Sequence, residues 1–520
     1  MKRMAVILMC ALALLTARQE LPARAEGDMA RNHYALDVAL DVENSRLTER
    51  VELTLVNDSA DEWSEVCLRD FMDSVLSLDD ERCGVGMSEA DEQGNIIAYG
   101  PTLPPDSRHL NGSSGVISAR QDGQELRFWA DGADSSIVHL ALKQPLAPGR
   151  SATIQLEYAA DVPCGGYRCA WSSLDSGAYG RHVTYELSQF YPMLAIYEDG
   201  EWICDPYFSE GECFYTRCAD YDIALRVPEG YEVIASGDEA RGATADGVTE
   251  WSVSARNMRD VTVIVSNELE CLTGEVDGVA VNSYYCAYDP EGDPVGSSRA
   301  QGEVSLAAAQ DALKAFADEY GAYPYAELDV VESCYEYGGM EAPGLVRISE
   351  MYSWFILDED EAERAYYTDG LRGTVAHEVA HEWFYAVVGN NQYREAWLDE
   401  SLAAFSEQIY WRAQGRSEDE IAAYMAELAA CKRHDGSEAI CGRYDELDYV
   451  SAVYRRGAAF LYGLEQALGE ESFAGFMQSY YAAHAFSEAT TRDFLSELEP
   501  YMALCQEARK LVERYLPGAD

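Results

Sequence analysis

The stretch HEVAHEWF, from His377 to Phe384, contains two histidines four positions apart, with a glutamate directly after the first. In an α-helix, residues i and i+4 lie on one face, so His377 and His381 can present both imidazoles to one metal ion. Glu378 lies beside the first histidine and can reach a water bound to that metal. This pattern is typical of catalytic zinc sites in which the glutamate is a general base.

The third ligand is predicted at Glu400, in the stretch REAWLDESLAAFSE. Eighteen residues, 382–399, separate it from His381, which is enough for a loop and an antiparallel helix that returns its carboxylate to the metal. The neighbouring Asp399 would point away from that face. Two histidines and one glutamate leave a fourth position for water, as in catalytic rather than structural zinc sites, so we predict one Zn²⁺ per chain. Glu407, two turns further on, is either a hydrogen-bond partner of a ligand histidine or a surface glutamate.

The elements that must position these residues change in character near residue 276. From about Asn32 to Cys271, apolar and polar residues alternate, as in HYALDVALDVE and SATIQLEYAADV, which predicts an antiparallel β domain with one buried face. From about Asp277 the period becomes helical, and SSRAQGEVSLAAAQDALKAFADEYG predicts a helix that ends at Gly321. YAELDVVES predicts a short strand, and further helical stretches include the histidines, the third ligand and the end of the chain. A β domain therefore precedes a mostly helical α+β domain.

Length and charge exclude several classes of function. A chain of 520 residues is too long for one hydrophobic core and suggests two or three domains. The formal net charge of -54 argues against nucleic acid and against an anionic membrane surface as partners. The sequence carries no signal for an oligomeric state.

The N-terminus has the features of a secretory signal peptide, in the stretch MKRMAVILMCALALLTARQELPARAEG. Lys2 and Arg3 precede the apolar run Met4 to Leu15, and residues 23–25 offer a cleavage site with small residues. A lipoprotein anchor at Cys10 fits less well, because bulky residues precede it. No other stretch is apolar enough to span a membrane. We therefore predict a secreted or extracytoplasmic protein.

Cysteines are frequent for an exported chain. Of 14 cysteines, 13 follow Cys10, and such a number suggests disulfides in an oxidising compartment. The candidate pairs that are close in sequence are Cys164 with Cys169, Cys431 with Cys441, and pairs among Cys204, Cys213 and Cys218.

Several motifs together resemble the gluzincin aminopeptidases, the family of aminopeptidase N and leukotriene A hydrolase. HExxH, eighteen residues and then Glu400 is the first of them. GGMEAP, Gly338 to Pro343, resembles the family's GxMEN loop, and DYVSAVYRRG, Asp448 to Gly457, resembles the stretch that carries its catalytic tyrosine. The matches follow the family's order from about residue 30 to about residue 475. The resemblance implies a signal peptide (1–25), a saddle-like N-terminal antiparallel β domain (26–275) and a thermolysin-like, mostly helical α+β zinc peptidase domain (276–520).

The resemblance also implies catalytic roles. Glu378 is the general base that activates water, and Tyr454 donates a hydrogen bond to the oxyanion, with Tyr449 as the alternative tyrosine. Glu341 binds the free α-ammonium of a peptide, so that the first peptide bond falls on the metal.

The rest of the implied substrate site consists of the loop residues Gly338, Gly339 and Met340. Glycines there allow the backbone to run close to an extended peptide. The family often adds a second acceptor for the ammonium from its β domain, and Glu186, in TYELSQFYPML, lies where that residue would fall.

Three features depart from the family pattern. Ala342 replaces the asparagine of the GxMEN loop, which removes one polar contact, and Ser401 replaces the glycine after the third ligand. The chain after Tyr454 is too short for the helical C-terminal domain that covers the active site in relatives, which predicts a more open cleft.

The function predicted from the sequence is a secreted zinc aminopeptidase that acts on peptides with a free N-terminus. A zinc endopeptidase of the same fold is one alternative, against which Glu341 argues. An inactive, peptidase-like binding protein is the other, and the presence of every catalytic group argues against it.

Overall fold

The computed structural model describes residues 31–76, 113–132, 134–165, 168–172, 183–207, 211–287, 296–335, 337–434, 436–441 and 446–518. The predicted signal peptide lies outside the described residues. Within the described ranges, no helix has the length and apolar character needed to cross a membrane.

The N-terminal part, residues 31–266, is called the β domain. Its elements are β1 (His33–Asp41), β2 (Arg46–Val56), β3 (Trp63–Arg69), α1 (Phe71–Leu76), β4 (Ser114–Gln121), β5 (Gln124–Glu125), β6 (Arg127–Ala130), β7 (Ile137–Leu146), β8 (Ser151–Asp161), β9 (Cys169–Ser172), β10 (Thr184–Ser188), β11 (Met193–Leu194), β12 (Ile196–Glu198), β13 (Glu201–Ile203), β14 (Ala219–Pro228), β15 (Glu232–Ala235), β16 (Asp238–Ala245), β17 (Val248–Met258) and β18 (Thr262–Ser266).

An eight-stranded sheet with the order β16-β17-β14-β1-β2-β8-β4-β5 forms the largest layer of this domain. In β2, Val51, Leu53 and Leu55 are buried, whereas Arg50 before them and Glu52 between the first two are exposed. This alternation is the pattern that predicts a strand with one face in the core. The smaller sheets β15-β18-β10-β9 and β11-β3-β7-β6 cover the buried face.

The predicted antiparallel β domain is confirmed, with one exception in the strand pairing. β1 runs parallel to β14, in register from His33 opposite Asp220 to Ala39 opposite Arg226. Parallel neighbours need a long connection, and here the chain from β2 to β13 supplies it. Periodicity within one strand carries no information on the direction of its neighbour.

The C-terminal part, residues 269–518, is called the C-terminal domain. Its elements are β19 (Leu269–Val276), β20 (Val279–Cys286), α2 (Gly296–Tyr320), β21 (Glu327–Ser333), β22 (Gly339–Met340), β23 (Leu345–Ser349), a 3₁₀-helix (Glu350–Tyr352), α3 (Glu361–Ala380), β24 (Val388–Gly389), α4 (Gln392–Glu395), a 3₁₀-helix (Ala396–Leu398), α5 (Glu400–Ala413), α6 (Glu418–Ala430), α7 (Glu446–Tyr449), a π-helix (Val450–Arg456), α8 (Gly457–Leu468), α9 (Glu470–His484), β25 (Ser487–Glu488), α10 (Thr491–Met502) and α11 (Gln506–Tyr515).

A five-stranded sheet, β19-β20-β21-β23-β22, lies at the start of the C-terminal domain. The predicted boundary between residues 275 and 276 falls inside β19, because this hairpin pairs with the C-terminal domain through β20 and β21. The hairpin alternates like the strands before it, so the sequence alone groups it with the β domain.

Helices pack on this sheet and on one another to form the second core. Helix α2 lies against α3 and α5, with Phe316, Val375 and Phe405 among the fully buried residues. The predicted end of α2 at Gly321 is confirmed: the helix ends at Tyr320, and Gly321 has φ = 129°, a conformation that favours glycine.

Candidate active site

Helix α3 and helix α5 supply the predicted metal ligands. Asp360 caps the start of α3 by accepting the N–H groups of Ala362 and Glu363 at 2.9 and 3.3 Å. The helix ends at Ala380, so His377 lies in its last turn and His381 is the C-cap residue. Glu400 is the first residue of α5.

Three donor atoms meet at the junction of these helices. His377 Nε2 lies 3.2 Å from Glu400 Oε2 and 3.3 Å from His381 Nε2, and His381 Nε2 lies 3.5 Å from Glu400 Oε2. Ligands on a tetrahedral zinc with bonds of about 2.0–2.1 Å are separated by about 3.3 Å. The donor set and its spacing therefore fit one face of a zinc tetrahedron.

The other ring nitrogen of each histidine is held by an acceptor. His377 Nδ1 donates to Glu407 Oε1 at 3.1 Å, and His381 Nδ1 donates to the carbonyl oxygen of Phe384 at 3.1 Å. Protons on both Nδ1 atoms leave both Nε2 lone pairs free for a metal. Glu407 was predicted to be either a hydrogen-bond partner of a ligand histidine or a surface glutamate. The contact with His377 supports the first of these roles.

Tyr454 lies beside the ligands on the π-helix Val450–Arg456. Its hydroxyl donates to Glu400 Oε1 at 2.6 Å, and its ring stacks on that of His377 with centroids 5.7 Å apart. Single π-helical turns occur frequently at functional sites, where they re-aim a side chain. Tyr449, the alternative tyrosine, instead accepts the backbone N–H of Glu212 at 3.5 Å.

A cavity of about 90 Å³ opens in front of these groups. Its lining includes the predicted residues Gly339, Met340, Glu341, His377, Glu378, His381, Glu400 and Tyr454, together with Arg168, Gly211 and Glu212 of the β domain. Gly338 lies next to it: a Cβ there would be 3.3 Å from Tyr352 Oη and 3.4 Å from Thr374 Oγ1.

The loop of residues 338–341 runs against the predicted general base. A Cβ on Gly339 would collide with the carboxylate of Glu378, so glycine is required for this close approach. The sulfur of Met340 accepts a hydrogen bond from Arg168 Nη1 at 3.1 Å. The loop and the β domain are thus in direct contact at the cavity.

Glu186 does not reach the cavity. It lies in β10 and is 4% exposed, where its Oε2 accepts from Arg347 Nη1 at 2.6 Å and its Oε1 accepts from Ser333 Oγ at 2.5 Å. The predicted role as an ammonium acceptor is not supported by this position, because the buried arginine already neutralises the carboxylate. The β-domain glutamate that lines the cavity is instead Glu212.

Glu212 is the β-domain carboxylate in the cavity, and the sequence analysis missed it. It pairs with Arg168, whose guanidinium lies over the ring of Phe214. Its Oε2 is buried with no hydrogen-bond partner among the described residues. Burial raises the pKa of Glu212 to about 8, although Arg168 opposes the shift. The only feature of the sequence that could have drawn attention to Glu212 is the glycine before it, Gly211. The structure shows why glycine is needed there, because a Cβ would collide with the ring of Tyr449.

Carboxyl groups are concentrated in the cavity. Burial raises the pKa of Glu341 to about 7, and nearby carboxylates add to the shift while His381 opposes it. Burial likewise raises the pKa of Glu378 to about 7, against the effect of the two histidines. With Glu212 and Glu400 included, four carboxylates share the cavity with the single guanidinium of Arg168 among its described lining residues. Cations therefore stabilise the ionised form of this site.

Comparison with known proteins agrees with this geometry. Residues 304–515 match the sequence profile of the Peptidase family M1 domain. These residues therefore resemble an M1 peptidase domain, and the predicted resemblance to the gluzincin aminopeptidase family is confirmed for this part of the chain. The matched region contains the three metal-ligand candidates, His377, His381 and Glu400. It also contains Glu341, Glu378 and Tyr454, whereas Glu212 lies outside it.

Individual relatives extend the match. The chain is 25% identical over 299 residues to aminopeptidase N of Streptomyces lividans, covering 54% of this chain and 33% of that protein. It is 30% identical over 216 residues to aminopeptidase M1-B of Oryza sativa subsp. japonica, covering 39% of this chain and 24% of that one. Leukotriene A-4 hydrolase of Xenopus laevis is 28% identical over 206 residues, 36% of this chain and 31% of its own. The chain thus spans a third or less of the length of these relatives.

A solved structure resembles the M1 domain together with the β domain. The M1 zinc metallopeptidase from Deinococcus radiodurans has a TM-score of 0.63 and 19% sequence identity, with 94% of each chain covered. The predicted order of an N-terminal β domain and a helical α+β domain is confirmed by this likeness of fold.

Proposed function

We propose that the protein is a zinc aminopeptidase that removes residues from the free N-terminus of peptides. The observation that carries this proposal is the placement of Glu341 and Glu212 in the same cavity as the three donor atoms of His377, His381 and Glu400. A metal site alone would fit any metallohydrolase. Two additional carboxylates beside it fit a substrate that brings a positive charge next to the bond to be cleaved.

Zinc would be held by His377 Nε2, His381 Nε2 and the carboxylate of Glu400, and when bound it supplies a Lewis acid that polarises a carbonyl and acidifies water. Glu378 takes the proton from the attacking water and delivers it to the leaving amine, for which a pKa near neutrality is suited. The hydroxyl of Tyr454, which donates to Glu400, can turn to donate to the oxyanion.

Exopeptidase specificity follows from charge and space. The α-ammonium of a peptide would lie between Glu341 and Glu212, where its charge compensates one half-buried and one buried carboxylate. An acetylated N-terminus has no charge to offer and is larger. Both carboxylates line the cavity, so an acetyl group placed there would lie against them without compensating their charge.

The test is hydrolysis of a panel of aminoacyl-anilides and of matched N-acetylated compounds, with and without a zinc chelator. We expect cleavage of the free-amine compounds only, abolished by the chelator and restored by zinc. The matched control is Glu378→Gln, which keeps the size of the side chain and should retain zinc without turnover. Equal cleavage of acetylated compounds would favour the endopeptidase, and no cleavage by the zinc-loaded protein would favour the binding protein.

We further propose that the protein is exported. The support is the sequence alone: the apolar run Met4 to Leu15 after two basic residues, and the strongly acidic composition. Expression of the full chain followed by N-terminal sequencing of the extracytoplasmic fraction tests this, and a protein retained in the cytoplasm with Met1 intact would contradict it.

A further inference from the structure

Tyr385 has an unusual backbone conformation directly after the metal-ligand helix. Its φ is 141°, a region that a residue with a side chain rarely adopts. Such a conformation persists only where the surrounding structure imposes it. Tyr385 is 3% exposed, so the groups that hold it are buried neighbours.

The neighbours that hold Tyr385 come from the β domain. Its hydroxyl donates to Asp260 Oδ2 at 2.6 Å, and its carbonyl oxygen accepts from Arg259 Nε at 2.7 Å. Both partners lie in the turn between β17 and β18. Asp260 is itself held by Gln189 Nε2, which donates to Oδ2 at 2.6 Å, and Arg259 forms a buried ion pair with Glu488 of β25 at 2.8 Å.

The conformation of Tyr385 bears directly on the metal site. The carbonyl of Phe384 and the N–H of Tyr385 belong to one peptide plane, and φ of Tyr385 is the torsion that sets the orientation of that plane relative to the tyrosine. The carbonyl accepts the Nδ1 proton of His381 at 3.1 Å, and the N–H donates to the carbonyl of Val388 at 3.0 Å. A change of φ would therefore turn away the acceptor that orients His381.

We propose that Asp260 and Arg259 of the β domain are positioning residues for the metal centre, acting through Tyr385 and the Phe384 carbonyl on His381. This inference rests on the proposed zinc site. The β domain then contributes to metal retention as well as to substrate recognition. Loss of a partner that orients a ligand histidine typically weakens metal binding by about 10–100-fold.

The experiment measures zinc affinity of the purified full chain by competition with a chromogenic chelator, for Tyr385→Phe and for a matched control. The control is Tyr481→Phe, which removes the hydroxyl of another buried tyrosine, 1% exposed, whose hydrogen bond at 3.0 Å goes to the Ala322 carbonyl and not to the turn between β17 and β18. We expect Tyr385→Phe to weaken zinc binding about tenfold and Tyr481→Phe to leave it within about twofold of the native value. Similar melting temperatures for the two metal-free variants would separate this effect from general destabilisation.

A double-mutant cycle adds a second test. Asp260→Ala should weaken zinc binding by about as much as Tyr385→Phe, and the double variant should lose little more, since both remove one hydrogen bond. Zinc affinity of Tyr385→Phe within about twofold of native would overturn the proposal even if Asp260→Ala does not fold. Failure of the native protein itself to bind zinc would instead overturn the proposed function, so the two failures are distinguishable.

Discussion

Substitution of Glu186 distinguishes most clearly between a structural role and a substrate-binding role for this β-domain carboxylate. Its side chain is 5% exposed and its partner, Arg347, is 1% exposed, with 2.6 Å between the charged atoms. Substitution of Glu186 by alanine would leave the arginine buried without its counter-charge, and Ser333 would lose its acceptor.

The expected cost follows from this burial. Removal of one partner of a buried ion pair destabilises a protein by about 3–5 kcal/mol, because the remaining charge stays desolvated. For folded units of this size, each kcal/mol lowers the melting temperature by about 2–4 °C, so Glu186→Ala should melt about 10 °C below the native protein. The KM for an aminoacyl-anilide should stay within about twofold of the native value, since no group in the cavity changes.

Differential scanning fluorimetry and steady-state kinetics on the folded fraction test both parts. Glu212→Ala is the matched variant, since it removes the β-domain carboxylate that does line the cavity, and it should raise KM. A melting temperature of Glu186→Ala within about 2 °C of native, combined with a KM raised about tenfold or more, would refute the reasoning and return Glu186 to the substrate site.

Four further predictions concern other parts of the molecule. Glu212→Gln should raise the KM for aminoacyl-anilides about tenfold with little change in kcat, and an unchanged KM would exclude ammonium binding at this residue. Glu407→Gln should lower zinc affinity about tenfold in a chelator competition, and native affinity would mean that its contact with His377 has no effect on the metal. Burial raises the pKa of Asp70 from 3.8 to about 6. Its contribution to the free energy of unfolding should therefore fall by about 3 kcal/mol as the pH rises from 4 to above 6. Urea unfolding of Asp70→Asn at several pH values should lack this fall, and equal pH profiles for the variant and the native protein would contradict the prediction. The sulfurs of Cys67 and Cys204 lie 3.0 Å apart, so oxidised glutathione should join them, and a non-reduced peptide map showing both thiols alkylated would contradict this.

The parts of the site that could be predicted from the sequence are those fixed by one local element. His377 and His381 share a helix, and Glu400 begins the next one at a distance that a short loop fixes. The end of α2 at Gly321 could likewise be predicted, because a glycine directly after a stretch of helical periodicity is typical of a helix C-terminus.

The parts that could not be predicted depend on contacts between distant segments. Glu212 lies in a loop without periodicity, and its place is set by Arg168 and by the ring of Tyr449, which are far away in the sequence. Every residue of β10 is buried, so alternation does not indicate where Glu186 points, and its neighbours are decided by the packing of two sheets. The parallel pairing of β1 with β14 has the same origin, since each strand alone is compatible with either direction.

The division of the cavity between two domains has a consequence for how such a protein can change. Arg168, Gly211 and Glu212 belong to one domain, and the metal ligands belong to the other. Recombination that exchanged the β domain would replace Glu212, the proposed ammonium acceptor, and in the same step remove Arg259 and Asp260 from Tyr385. The proposed selectivity for a free N-terminus and the proposed retention of the metal are therefore inherited together, and substitutions at these positions in one domain must be matched by substitutions in the other. Engineering of the preference for the N-terminal side chain of a substrate would best begin on the segments 168–172 and 211–214, with the turn between β17 and β18 left intact.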